Sequence, residues 1–360
     1  MAERTEAGWH GFWCREGVGV RVLSPLGWLW AKVAHRRHDC HLRGYTGAFR
    51  APLPVIVVGN LSVGGNGKTP FVAALVDWLR GQGWKPGIVS RGYVRGRLRS
   101  RNPRVVDAHA HAAEVGDEAV LLVRRTGAPL VVGANRPEAV RCLLEQDVDI
   151  VVSDDGLQRY DLARDLEIVM VDGLRGLGNG RCLPAGPLRE PPERLASVDL
   201  IVATAPLTSA VAALTPWAMR LVPIGLLPGS VCELASEMDA DGLLPLTRLP
   251  AGPVHAVAGI GHPERFFRTL EELGLEVVPH PFPDHHVFTR AELDLPGTAP
   301  ILMTEKDLLR CRAVWADWPH ALRRRCMALC VKADVDNRVF ATIGDRLPWC
   351  RPAGRSEASS

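Results

Sequence analysis

Lys68 and Thr69 follow three closely spaced glycines, Gly64, Gly65 and Gly67, and precede Pro70. That grouping suits a polyphosphate. Backbone N–H groups can converge on the anion without Cβ interference, the ammonium neutralises the β- and γ-phosphates, and the hydroxyl ligates Mg²⁺. The stretch Ser62, Val63, Gly64, Gly65, Asn66, Gly67, Lys68, Thr69 is therefore the candidate nucleotide loop. It departs from the strict GxxxxGK[ST] pattern at its first position, where Ser62 replaces glycine. Asp154 and Asp155 close the apolar run DIVVSDD, and a carboxylate at a strand tip is where such a loop finds its Mg²⁺ acid. The competing reading is a turn, which Gly156 allows. Arg91 ends the run GIVS and reads either as a ligand contact at a sheet edge or as a solvated arginine.

These groups act together only if the chain positions them. Val55 to Val58 form a β-branched run suited to a central parallel strand, and Pro70 suits the first turn of a helix. Phe71, Val72, Leu75, Trp78 and Leu79 then recur at helical spacing until Gly81 and Gly83. Asp117 is a good N-cap for a further helix. Apolar runs at 87–90, 129–132, 149–152, 167–171 and 200–204, alternating with helical segments, predict a right-handed parallel sheet covered on both faces. Residues 178–195, rich in glycine and proline, predict a shaped loop, and 205–250 carry little pattern. A second α/β unit is expected from Val254, with strands near 277–278, 301–303 and 327–331. The expected fold class is thus α/β, a P-loop NTPase-like parallel sheet with a second, smaller α/β domain and an N-terminal amphipathic helix. The expected units are 1–50 as a membrane-associated helical segment, 51–250 as the P-loop core, 251–345 as the smaller domain and 346–360 as a disordered tail.

A net charge of +3 gives no argument for a nucleic-acid partner, and nine cysteines without CxxC pairs fit reduced thiols better than zinc. The longest uncharged stretch near the start, Val22 to Ala31, is too short to span a bilayer. Trp9, Trp13, Trp28 and Trp30 nevertheless crowd the first thirty residues, before a cluster containing Arg36 and Arg37. With Ser24 as cap and Pro25 in the first turn, Leu26, Leu29, Trp30 and Val33 share one helical face. Two readings stay open: an interfacial helix facing anionic lipid, or a helix packed on the protein's own core.

The ordered set GNLSVGGNGKTP, SRGY, VGDE, DDGLQ, LPAGPLREP, GIGHPERFF, DHH and TEKD resembles the tetraacyldisaccharide 4'-kinase family, the lipid A 4'-kinases of Gram-negative bacteria, from about Pro25 to about Asp334. The resemblance implies transfer of the ATP γ-phosphate to the 4'-hydroxyl of an acylated glucosamine disaccharide 1-phosphate. The protein would be peripheral or monotopic on the cytoplasmic face of the inner membrane, with ATP and Mg²⁺ as cofactors and no nucleic acid or obligate protein partner. Carried over by motif, Asp117 matches the catalytic aspartate and His285 its partner, with the adjacent His286 leaving that choice open. Asp154 and Asp155 match the metal-associated acids, beside which the loop chemistry already gives Thr69 as a metal ligand and Lys68 as a catalytic residue. Arg189 and Glu190 of LREP join Arg91 as substrate or phosphate candidates. Asn66, Val94-Arg95 and Ala119 depart from the family pattern. The competing function is a membrane-docked P-loop ATPase or nucleotide switch of the partitioning type, which would release phosphate rather than transfer it to a lipid.

Overall fold

Short β-branched runs make strands here because both faces of the sheet are buried, so apolar residues are needed at successive positions rather than at alternate ones. The computed structural model describes residues 13, 17–45, 47–92, 102–230, 235–249 and 251–347. Trp9, Tyr93, Val94-Arg95 and residues 348–360 of the expected C-terminal tail lie outside the described residues, while Arg346, expected in that tail, ends a helix. The strands are β1 (Val55–Gly59), β2 (Pro86–Ser90), β3 (Arg104–Val106), β4 (Leu130–Val132), β5 (Ile150–Asp154), β6 (Leu166–Asp172), β7 (Leu200–Thr204), β8 (Trp217–Pro228), β9 (Pro253–Ala258), β10 (Glu276–Pro281), β11 (Ile301–Thr304) and β12 (Cys326–Val335). All belong to one twelve-stranded sheet in the order β10-β9-β11-β12-β8-β7-β6-β1-β5-β2-β4-β3. Pairing is parallel on either side of β8–β12, which is antiparallel, and edge strand β3 is antiparallel to β4. The expected α/β architecture is therefore present, with the two halves sharing a sheet.

Helices of eight or more described residues are α1 (Val18–Leu42), α2 (Lys68–Gly81), α3 (Asp117–Thr126), α4 (Arg136–Leu143), α5 (Pro263–Glu272), α6 (Glu305–Arg312) and α7 (Asn337–Arg346). In α2, Phe71, Val72, Leu75 and Leu79 enter the core, while Trp78 stacks on Phe340 of α7 at 5.4 Å. The last helix thus returns to the first half of the chain, and the expected boundary near residue 250 falls between strands that β12 and α7 reconnect. Asp117 is the first residue of α3 rather than its cap. Gly116 takes the cap position at φ 95°, a conformation open to glycine because it has no Cβ.

Two strands escaped the sequence reading. Edge strand β3 buries only its last residue, so it has little apolar signature. In β8 the register shifts, with Cys330 opposite Gly225 and Val331 opposite Pro223, which leaves Ile224 unpaired. That bulge interrupts the alternation by which a strand is recognised.

The N-terminal helix also differs from expectation. It begins at Val18, so Ser24 and Pro25 lie inside it; Ser24 Oγ donates to Val20 O at 2.7 Å instead of capping. The bond that Pro25 cannot make falls on an exposed turn, where water can satisfy the freed carbonyl. One face, Val20, Gly27, Ala34 and His38, is buried. A Cβ on Gly27 would stand 2.8 Å from Cys182 O, so only glycine lets the helix lie this close to the 178–195 loop. Trp30 Nε1 ties the same helix to Arg189 O at 2.9 Å.

Candidate active site

The phosphate loop is placed by register. Val58 of β1 pairs with Asp154 of β5, which puts the start of the loop and the aspartate pair on the same carboxyl edge. Gly64 and Gly67 take φ of 103° and 78°, whereas Ser62 is not among the positive-φ residues, so serine is tolerated where the strict pattern has glycine. Ser62 Oγ instead accepts from Asn66 Nδ2 at 2.8 Å and braces the loop. Asn60, fully buried, donates to Ser62 O at 2.7 Å and accepts from Lys68 Nζ at 2.9 Å. Thr69 is buried in the first turn of α2, and Val63 N donates to Pro187 O at 2.9 Å.

Asp154 and Asp155 are adjacent but their surroundings separate them. Asp155, at φ 51°, lies 3.3 Å from Lys68 Nζ and accepts from Arg189 Nη1 at 3.0 and 3.2 Å. Burial pushes its carboxyl up, yet Lys68 and Arg189 hold it well below the ordinary range. Asp154 has no such counter-charge in contact. Burial, with Glu118 nearby, pushes it up to about 6. Its Oδ2 accepts from Ser90 Oγ at 3.0 Å, while its buried Oδ1 has no hydrogen-bond partner. An orphaned buried carboxylate oxygen is costly unless a cation or donor meets it, so Asp154 Oδ1 fits a Mg²⁺ site better than Asp155 does. Among the described residues there is no group of three or more His, Cys, Asp or Glu that could hold a metal ion.

On the facing side stands a cluster built by α3, α6 and the loop after β10. Asp117 Oδ1 accepts from Glu118 N at 2.9 Å, and Oδ2 accepts from Arg310 Nε at 2.8 Å and from Arg310 Nη2. His285 Nδ1 lies 3.7 Å from Asp117 Oδ2 and 3.3 Å from Arg310 Nη2, beside both members of the pair. Burial pushes Asp117 up, yet His285, Arg310 and Lys306 together hold it far below the ordinary range; Asp117 in turn holds His285 above its own, against burial. His285 sits at φ 58°, a strained conformation for a histidine. His286 points elsewhere: its Nε2 meets Glu292 at 3.0 Å and its ring packs on Phe282 and Phe288. The structure thus brings His285, not His286, to Asp117.

Ion pairs run along the α3–α6 contact. Lys306 Nζ donates to Glu118 at 2.5 Å, and Arg125 pairs with Glu305. Lys306 holds the Glu118 carboxyl low against burial, with Lys68 of the phosphate loop adding to the effect, so the two sides of the site share one electrostatic field. Gly261 closes the loop from the C-terminal half, since a Cβ there would lie 3.2 Å from Gly65 N.

Three further candidates occupy different positions. Arg189 faces the loop through Asp155. Glu190, expected to meet substrate or phosphate, is instead almost fully buried, accepting from Tyr160 Oη and from Gln158 Nε2 at 3.3 Å. It braces LREP from behind because burial of a carboxylate requires such donors. Arg91 follows β2, at the same sheet edge as Ser90. The sequence reading missed Arg310, Lys306, Glu118 and Arg136. The last is fully buried and donates to Asp154 O at 3.0 Å, holding the β5 tip. Of these, only Lys306 and Glu118 lay within a quoted motif, TEKD and VGDE, which was the available signal.

A family model described as tetraacyldisaccharide-1-P 4'-kinase matches residues 20–347. A tetraacyldisaccharide 4'-kinase of Alkalilimnicola ehrlichii is 50% identical over 302 residues, 83% of this chain and 87% of that protein. Its counterpart in Pseudomonas aeruginosa is 46% identical over 324 residues, 88% and 91% of the two chains. The crystal structure of LpxK from Aquifex aeolicus in complex with ATP matches with a TM-score of 0.69 at 26% identity, covering 92% of this chain and all of that one. These likenesses favour the kinase over the partitioning-type ATPase or switch. The chain belongs to the tetraacyldisaccharide-1-P 4'-kinase family.

Proposed function

We propose that the chain transfers the ATP γ-phosphoryl group to the 4'-hydroxyl of an acylated glucosamine disaccharide 1-phosphate, with the loop at Lys68 holding the donor and Asp117 taking the proton. Family membership makes the chain an ATP-using kinase. The observation that carries the residue assignments is the pairing of an open-ended phosphate loop with a facing carboxylate, Asp117, held ionised. In the step itself, the 4'-oxygen forms a bond to the γ-phosphorus, the bond from that phosphorus to the ADP oxygen breaks, and the hydroxyl proton passes to Asp117. Lys68 and Arg189 neutralise the phosphates, and His285 orients Asp117. Thr69 and Asp154 would hold Mg²⁺, with Asp155 reserved for orienting the two cations. When bound, Mg²⁺ supplies charge neutralisation at the phosphates. The expected lobes, 51–250 and 251–345, belong to this reading, with the α3–α6 ion pairs as the contact between them. Incubation with γ-labelled ATP and tetraacyldisaccharide 1-phosphate should put label in the lipid fraction in proportion to ADP formed. Release of label as free phosphate alone would overturn the reading.

The substrate's lipid character is supported by two neighbouring features. Leu26, Leu29, Trp30 and Val33 are 54, 54, 44 and 47% exposed, so the face that the sequence left open between core and interface is turned outward. No helix among the described residues is long and apolar enough to cross a membrane. Below that face, a cavity of about 530 Å³ is lined by Val33, Arg36, Arg37 and Arg159, a basic setting suited to a phosphorylated sugar. It lies away from the phosphate loop, to which Gln158 connects it through a 3.1 Å bond to Asn60 O. We therefore place the protein peripherally on the anionic cytoplasmic face of the inner membrane. Leu26→Ser with Leu29→Ser should weaken binding to phosphatidylglycerol vesicles by about thirtyfold or more, since each exposed leucine inserted into the interface contributes ~1 kcal/mol or more. ATP affinity should stay unchanged. Undiminished vesicle binding would put the membrane surface elsewhere.

A further inference from the structure

Arg310 is a buried arginine outside every motif that pointed to the site, and its contacts are unusually many. Nε and Nη2 donate to Asp117 Oδ2. Nη1 donates to Gly259 O at 2.7 Å and to Asp307 Oδ1 at 2.9 Å, while Nη2 also meets His285 Nδ1 at 3.3 Å. All three nitrogens of the guanidinium are thereby engaged, by groups from α3, the end of β9, the loop after β10 and its own helix. Asp307 is itself fully buried and fixed by Thr304 Oγ1 at 2.6 Å and Gly259 N at 3.2 Å, so the arginine is clamped before it reaches Asp117.

This arrangement distinguishes the two oxygens of Asp117. Oδ2 takes the arginine fork and lies nearest His285, whereas Oδ1 accepts the Glu118 N–H at 2.9 Å and retains lone-pair capacity. We propose that Arg310 is a positioning residue for phosphoryl transfer: it saturates Asp117 Oδ2, spaces His285 from it, and so presents Oδ1 to the sugar hydroxyl. The proposal rests on Asp117 being the proton acceptor. It also explains how the acceptor is completed across the molecule, because the guanidinium carries Gly259 and Asp307 from one half of the sheet to α3 in the other. Lysine could restore the charge but not the planar fork, which makes charge and geometry separable.

The test compares Arg310→Met and Arg310→Lys for kcat, ATP KM and the pH dependence of kcat/KM. In the methionine variant kcat should fall about a hundredfold, the scale of a positioned general base, with ATP KM changed by less than about threefold. The acid limb should also move to higher pH. Asp117 must be ionised to accept a proton, and without the guanidinium its burial is opposed by His285, Lys306 and the Glu118 N–H, while Glu118, Asp284 and the now unpaired Asp307 add negative charge nearby. The carboxylate then protonates earlier as pH falls, and activity is lost with it. Arg310→Lys should return the acid limb toward its original place while recovering only part of kcat. Unchanged kcat, or a joint fall of kcat and ATP affinity with an unmoved acid limb, would overturn the proposal, since a mere strut between the halves would act that way. If the methionine variant does not fold, the lysine variant decides alone: wild-type kcat rejects the role of the fork, and reduced kcat at unchanged ATP KM supports it. Asp117→Asn is the separating control. Activity retained there would reject Asp117 as the base, whereas activity lost there but kept in Arg310→Met would reject only the assignment of Arg310.

Discussion

Lys68→Ala is expected to lower kcat by 10²–10³-fold or more, the scale on which removing one preorganised stabiliser of developing charge acts. The ammonium stands between Asn60 Oδ1 at 2.9 Å and Asp155 Oδ1 at 3.3 Å, a buried polar surrounding that costs no rearrangement at the moment of transfer. Its loss leaves Asp155 still paired with Arg189, so the loop keeps one of its cations and the fold should survive. Circular dichroism and the thermal transition are the checks on that point. Rapid-quench transfer from labelled ATP is the decisive measurement. Turnover within a factor of a few of wild type would remove the phosphate loop from the mechanism altogether.

Asp117→Asn and His285→Ala should each lower kcat by about 10²-fold with little change in ATP affinity, because both act on the acceptor hydroxyl rather than on the nucleotide. Asparagine is the better replacement at 117. Alanine would leave the buried Arg310 guanidinium unpaired on that side, and such an uncompensated charge typically costs ~3–5 kcal/mol of stability, which would blur the kinetics. The combined variant should lose less than the product of the single losses. The two side chains stand 3.7 Å apart and Arg310 contacts both, so their coupling runs through that direct approach and through the shared guanidinium. Strict additivity in a double-mutant cycle on kcat/KM would show instead that histidine and aspartate serve separate steps.

The nucleotide half of the site was legible because its determinants are neighbours in the chain. An apolar strand, glycines at Gly64 and Gly67 able to take positive φ, and a helix start at Lys68 follow one another in sequence, and backbone sterics alone order them. The place of Asp154 at a strand tip was legible for the same reason, since the strand it ends is an unmistakable run of apolar residues. The β8 strand was not legible, because its bulge at Ile224 and its irregular burial break the period on which such a reading depends.

The sequence by itself determined the parallel core, the phosphate loop and which acids could serve it. Tertiary structure decided what each charged group meets there. Asp117 and Arg310 are 193 positions apart, Glu118 and Lys306 188, and neither pairing leaves a trace in local pattern. The division between Asp154, orphaned and pushed up to about 6, and Asp155, held ionised by two cations, belongs likewise to the folded chain. So does the selection of His285 over its neighbour, and the outward turn of the Leu26 and Leu29 face. A carboxylate or imidazole takes its chemistry from how far it is removed from water and from which charge comes to meet it, and both are set by distant segments that only the fold brings together.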